Sequence, residues 1–282
     1  MSRRALAAAV AVALLAACPA APSAAQQVVP LNHLPALAGD YFQFDSRHVG
    51  RGFHIYVRLP DGYRPDAAAA WPTVYLTDGD SLFPILAANH LFLTYDDQLP
   101  EAIVVGIAYG GFDPSVNRRN IDFQAPGDGV AAEQAGAEAF QRFLKDELIP
   151  EVERRYRPDA SRRVLFGQSR GGAFVLYSAV TDPDLFWGRI ASNPSLTPGM
   201  ESLLAPAAGF SRDDLGLVVV SGTRDRQDLQ AEAAQWLSTW EARDRRPWRL
   251  RGMRLPGGTH AANAPDAYRL GMNWLFGTGS AP

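Results

Sequence analysis

The chain has almost no cysteine and almost no lysine. Its single cysteine, Cys18, leaves no pair for a disulfide, so any fold it adopts rests on its core. Lys145 is the only lysine among 27 basic residues; 30 acidic residues outnumber them, and neither sign forms a long run. A net charge of −3 with no basic patch excludes the electrostatic footprint of a nucleic-acid binder. The most apolar stretch, Ala5–Ala17, is 13 residues long, too short to span a bilayer core. What remains is an ordinary globular composition, 47% hydrophobic and 20% charged over 282 residues, enough for one large α/β domain.

Residues 1–25 carry the pattern of a secretory signal. Arg3 and Arg4 open it, Ala5–Ala17 is its apolar centre, and small residues broken by Pro19 and Pro22 close it. Ser23-Ala24-Ala25 suits cleavage before Gln26, which predicts a periplasmic or secreted protein. Leu15-Ala16-Ala17-Cys18 offers the alternative of a lipobox, in which a lipid on Cys18 would anchor the protein to a membrane. Residues 26–40 read as a lead-in and 41–282 as a single domain, because no repeat or linker-like stretch follows residue 40.

Strand-like segments recur along that domain. In Arg51–Leu59 the apolar Phe53, Ile55, Val57 and Leu59 alternate with His54, Tyr56 and Arg58, a period of two that covers one face. Tyr41–Asp45 precedes it as another strand. Short apolar runs follow at Thr73–Leu76, Ile103–Ala108, Val164–Phe166, Arg189–Ala191 and Leu217–Val220, as buried parallel strands require. Between the second and third of these runs, the spacing of Ala135, Phe140, Phe143, Leu144, Leu148 and Val152 predicts an amphipathic helix over Val130–Tyr156, bent at Pro150. Trp248–Leu255 and Ala264–Phe276 read as a last strand and a closing helix. The alternation predicts an α/β fold, a doubly wound, mostly parallel sheet with flanking helices.

The strongest chemical signal lies in Val164–Tyr177, which reads strand, sharp turn, helix around Gly167-Gln168-Ser169-Arg170-Gly171. A serine forced into such a turn needs glycine two places before and after it, and its hydroxyl then projects above the sheet at a helix amino terminus. Serine needs a base to take its proton. Of His33, His48, His54, His90 and His260, only His260 follows Ser169, in the loop Gly257-Gly258-Thr259-His260, as the order nucleophile, acid, base demands. The acid comes from the loop after Leu217–Val220, where Asp225 is favoured by loop length and Asp228 is the alternative. A tetrahedral oxyanion needs two backbone N–H donors. Arg170 supplies one, and Asp80, in Thr77-Asp78-Gly79-Asp80-Ser81, the second, with Gly79 allowing the tight turn. The Arg170 side chain either crosses the mouth of the acyl pocket, favouring anionic or phenolate-bearing substrates, or folds back onto an acid such as Asp78.

These segments together resemble the putative-esterase family of α/β hydrolases, and within it the ferri-siderophore esterases of the enterobactin and bacillibactin type. The resemblance runs from about residue 50 to 276. It rests on Val57–Tyr63, Val74–Asp80, Ile103–Gly106, Phe140–Pro150, the serine turn, Asn193-Pro194-Ser195 and Gly258-Thr259-His260. It implies an α/β-hydrolase fold and a Ser-His hydrolase of carboxylic esters, with Ser169 and His260 in the matching positions, a small-molecule ester as substrate, and no metal or organic cofactor. Relatives usually carry His before the serine and an uncharged residue after it, where Gln168 and Arg170 stand here; some relatives work with the Ser-His pair alone. Feruloyl esterases, formylglutathione hydrolases and mycolyl transferases share the framework. Two other readings use the same residues. One is a noncatalytic binding protein on this shell, which a broken turn or missing base would mark; the other is a peptidase or acyltransferase, differing in lid and acceptor pocket.

Overall fold

The computed structural model describes residues 29–31, 34–66 and 70–278; the segment expected to be an export signal and Cys18 lie outside the described residues. Among the described residues there are nine strands: β1 (Val29–Leu31), β2 (Gly39–Ser46), β3 (Arg51–Arg58), β4 (Thr73–Leu76), β5 (Ile103–Ala108), β6 (Arg163–Gln168), β7 (Gly188–Ser192), β8 (Gly216–Gly222) and β9 (Arg249–Leu255). They form one sheet in the order β1-β2-β3-β5-β4-β6-β7-β8-β9. The pairs β1–β2, β2–β3 and β3–β5 are antiparallel, and the five pairs from β5 to β9 are parallel. The first strands start earlier than the sequence suggests: β1 and the Gly39-Asp40 start of β2 lie in the stretch read as a lead-in.

Helices α1 (Gly79–Asp96), α2 (Arg119–Asp122), α3 (Ala137–Arg142), α4 (Ile149–Tyr156), α5 (Arg170–Thr181), α6 (Met200–Leu204), α7 (Gln227–Glu241) and α8 (Ala264–Phe276) fill the crossovers. Strand alternation sorts the core into two layers. Val74, Leu76, Val164, Phe166, Val218 and Val220 face α1 and α8. Tyr75, Val105, Leu165, Ala191, Leu217 and Val219 face α3, α4, α5 and α7. Because each parallel strand enters its crossover at its carboxyl end, the loops after β4, β6, β7, β8 and β9 gather on one edge of the sheet.

The single bent helix expected over Val130–Tyr156 is instead a 3-10 turn at Ala132–Gln134, then α3, a π-helical stretch Phe143–Leu148 and α4. Pro150 has no N–H to return to the preceding turn. The wider turn absorbs the defect, with the Ile149 N–H reaching the Leu144 carbonyl, and still buries Phe143, Leu144 and Leu148 on the core side.

Candidate active site

Ser169 sits between β6 and α5 with φ 59° and ψ −118°, a left-handed conformation rare for a residue with a side chain. Its neighbours explain how the turn closes. A Cβ on Gly167 would stand 2.2 Å from the Gly171 carbonyl oxygen, and one on Gly171 would stand 2.4 Å from Thr77 Oγ1. The glycines therefore let the turn fold onto itself and press the start of α5 against the end of β4. The Ser169 backbone is held on both sides, its N–H donating to the Ser192 carbonyl (2.9 Å) and its carbonyl accepting from the Ser195 N–H (3.1 Å).

The Ser169 hydroxyl lies 2.9 Å from His260 Nε2. On the far side of the ring, His260 Nδ1 lies 2.9 and 3.1 Å from the two oxygens of Asp225. An ionised carboxylate only accepts, so Nδ1 carries the proton and Nε2 is left as the acceptor facing the serine. The Asp225 side chain is 1% exposed and the His260 side chain 36%, so the carboxylate is enclosed while the imidazole reaches solvent. The Arg226 N–H donates to Asp225 Oδ1 (2.7 Å), a further partner for the carboxylate. Asp228, the alternative acid, is exposed and paired with Arg226, and it makes no bond to His260.

Two helix starts meet beside the serine. Arg170 and Asp80 are the first and second residues of α5 and α1, where backbone N–H groups have no acceptor within their helix. The near-contact between Gly171 and Thr77 sets the two starts side by side. The turn before α1 differs from expectation: Asp78, not Gly79, takes the left-handed conformation (φ 54°). Gly79 is needed for a close approach, since a Cβ there would stand 2.7 Å from the Ile107 nitrogen in β5. The Asp80 carboxylate accepts from the Tyr109 and Gly110 N–H groups at 2.7 and 2.8 Å, tying α1 to the loop after β5.

Arg170 does not pair with Asp78. Its guanidinium donates to the Gln124 carboxamide, its only hydrogen-bond partner among the described residues, and burial holds its pKa below the ordinary arginine value. Asp78 is instead taken by Arg119 of α2, through Nε (2.6 Å) and Nη2 (3.0 Å). Burial nonetheless lifts the Asp78 carboxyl above its usual range. Nothing in the local sequence singles out Arg119 or Gln124, whose partners lie 41 and 46 residues away.

Two cavities adjoin this edge, of about 490 and 410 Å³, and share Asp80 and Phe112 in their walls. The larger reaches Gln168 and Ala261, the chain neighbours of Ser169 and His260, and is also lined by Arg119 and Ile85. The smaller is walled by Leu37, Tyr56 and Phe83. Phe112 is 73% exposed at their shared rim, so an apolar surface borders the reactive groups. Among the described residues no group of three or more His, Cys, Asp or Glu side chains is placed to hold a metal ion. None of their helices is long and apolar enough to cross a membrane.

The chain resembles several known proteins in sequence and in structure. The chain is 35% identical over 167 residues to the ferri-bacillibactin esterase of Bacillus subtilis, covering 54% of this chain and 56% of that protein. It is 29% identical over 198 residues to a siderophore triacetylfusarinine C esterase of Aspergillus fumigatus, covering 64% and 65%. The matches thus span less than two thirds of either relative's length. The crystal structure of the BES protein of Bacillus cereus superposes with a TM-score of 0.72 at 21% identity, covering 83% of this chain and 93% of that one, which establishes the α/β-hydrolase fold. The pattern of the Putative esterase family matches residues 46–266, from the end of β2 into α8, so it takes in the serine turn, the acid loop and the histidine loop, and the chain belongs to that family.

Proposed function

We propose that the protein is an exported serine hydrolase that cleaves small carboxylic esters through an acyl-enzyme on Ser169, with siderophore or other aryl esters as its substrate class. The observation that carries this reading is the unbroken hydrogen-bond chain from Ser169 Oγ through His260 to the enclosed Asp225. In the first half-reaction His260 Nε2 takes the hydroxyl proton as Ser169 Oγ adds to the ester carbonyl. Asp225 stabilises the imidazolium without taking its proton. The Arg170 and Asp80 N–H groups receive the oxyanion, helped by the positive ends of two helices. Collapse expels the alcohol, which leaves with the proton from His260. Water then attacks the acyl-enzyme with the same base, and the acid product departs. The siderophore class is supported by the similarity to the two esterases named above, and an anionic or phenolate-bearing acyl group by the Arg170 cation, whose bonded partner is a neutral amide.

The test is a screen of purified protein against p-nitrophenyl esters of several chain lengths, ferric siderophores, feruloyl esters and peptide anilides, with Ser169→Ala and His260→Ala alongside. Each variant is expected to lose several orders of magnitude in rate while staying folded, and the double variant to lose little more, because nucleophile and base act as a unit. Ser169→Ala protein retaining more than a few per cent of the activity would sink the assignment.

A further inference from the structure

Asn193 follows β7, is buried to 1% exposure and holds a left-handed backbone (φ 41°). Its carboxamide has three partners from two other loops. Nδ2 donates to the Thr259 and His260 carbonyls at 2.8 and 2.9 Å, and Oδ1 accepts from the Gly222 N–H at 2.7 Å. Its own N–H donates to the Val220 carbonyl at 2.8 Å. The residues beside it, Ser192 and Ser195, hold the backbone of Ser169.

The acid and base loops are also joined to each other without it. The Arg224 N–H donates to the Gly258 carbonyl (2.9 Å) and the Gly257 N–H to Thr223 Oγ1 (2.8 Å). Backbone bonds as well as the side-chain bond therefore hold His260 and Asp225 together as a unit. Beyond the Ser169–His260 bond and the pairing of β6, β7 and β8, that unit is attached to the serine by the 192–195 segment through Asn193, assisted by Gln168, whose Nε2 donates to the same His260 carbonyl.

We infer, resting on the serine-hydrolase reading above, that Asn193 is a positioning residue. Its carboxamide fastens the His260–Asp225 unit to the segment that carries Ser169, and so sets the distance over which the serine proton is transferred. Its polarity is specific, with a donor facing two carbonyls and an acceptor facing one N–H. Asn193→Asp keeps the acceptor and turns a carboxylate oxygen on the two carbonyls. Asn193→Gly removes all three bonds and tolerates φ 41° without strain.

The experiment measures kcat and KM for p-nitrophenyl acetate across pH, the rate of Ser169 labelling by a fluorophosphonate, and thermal unfolding, for wild type, Asn193→Asp, Asn193→Gly, Gln168→Leu and Ser169→Ala. Misplacing the base should lower kcat and the labelling rate together by roughly 10- to 100-fold in both Asn193 variants. KM should stay within about threefold, the acid limb of the pH profile should shift, and Gln168→Leu should lose less. Wild-type kcat and pH profile in either Asn193 variant, or a loss carried wholly in KM, would overturn the inference while Ser169→Ala remains inactive. Wild-type protein that neither hydrolyses the ester nor takes the label would overturn the serine-hydrolase reading, and this inference with it.

Discussion

Asp225, just before α7, and Asp228, in its first turn, stand three residues apart, and burial separates them. The Asp225 side chain, 1% exposed, faces the imidazole, whereas the Asp228 side chain, 55% exposed, pairs with Arg226 in solvent. Asp225→Asn should therefore cut turnover by roughly three to four orders of magnitude, because an amide there can present its NH2 to the ring and favour the wrong tautomer. Asp228→Asn should leave turnover unchanged, and steady-state kinetics on one p-nitrophenyl ester compares them directly. Near-wild-type turnover in both would make the pair Ser169 and His260 sufficient. For Arg170 the contrast is between substrates. Arg170→Leu keeps the backbone donor, so neutral esters should be cleaved within a few fold of wild type. The kcat/KM for anionic esters should fall by about 1.5 to 3 kcal/mol, the worth of a hydrogen bond to a charged group. Equal losses on both would assign the side chain, with Gln124, to support of the serine turn.

The serine turn is legible in the sequence because its constraints lie within six residues, and Gly167 shows how strict they are. Gly167→Ala would put its Cβ at 2.2 Å from backbone, which no side-chain rotation can relieve. It should cost at least about 1 to 3 kcal/mol in urea-induced unfolding and abolish hydrolysis. The contact between α1 and α8 is expected to weaken in acid. His90 of α1 is buried, with Nδ1 2.8 Å from the Tyr268 hydroxyl and Nε2 3.1 Å from the Pro100 carbonyl. The carbonyl only accepts, so Nε2 carries a proton; burial lowers the pKa from 6.5 to about 4, which keeps the ring neutral near pH 7. The unfolded chain therefore binds this proton more readily, and stability declines as pH falls from about 6.5 toward 4, then levels off once the folded state is also protonated. The loss should be about 2 kcal/mol between pH 7 and 5. Urea unfolding at the two pH values should show that difference in wild type and a smaller one in His90→Gln. An equal difference in both would place the acid sensitivity elsewhere.

Over the whole molecule, five parallel pairs bring loops distant in sequence to one edge of the sheet, and the protein has no cysteine pair to brace them. Export is the prediction at this scale. Protein made with its native signal should begin at Gln26 by mass spectrometry, and a diacylglyceryl adduct on Cys18 would instead make it a membrane-anchored lipoprotein.

Features that depend on near neighbours and chain order could be read from the amino acids alone. The alternation in β3 and the short apolar runs specify strands, the crossovers between them require a parallel sheet, and Gly167 to Gly171 specify the serine turn; His260 is the only histidine that follows it. The helix around Pro150 was legible only in outline, because choosing a π-helical stretch over a bend depends on which residues the core buries. Tertiary structure alone decided which of two nearby aspartates is enclosed, that Asp78 belongs to Arg119 and leaves Arg170 to Gln124, and that Asn193 joins three loops. The physical reason is distance along the chain. These contacts join residues 29 to 67 positions apart, and whether a polar side chain finds a partner depends on the loop geometry at the sheet edge, which no local pattern of residue types encodes.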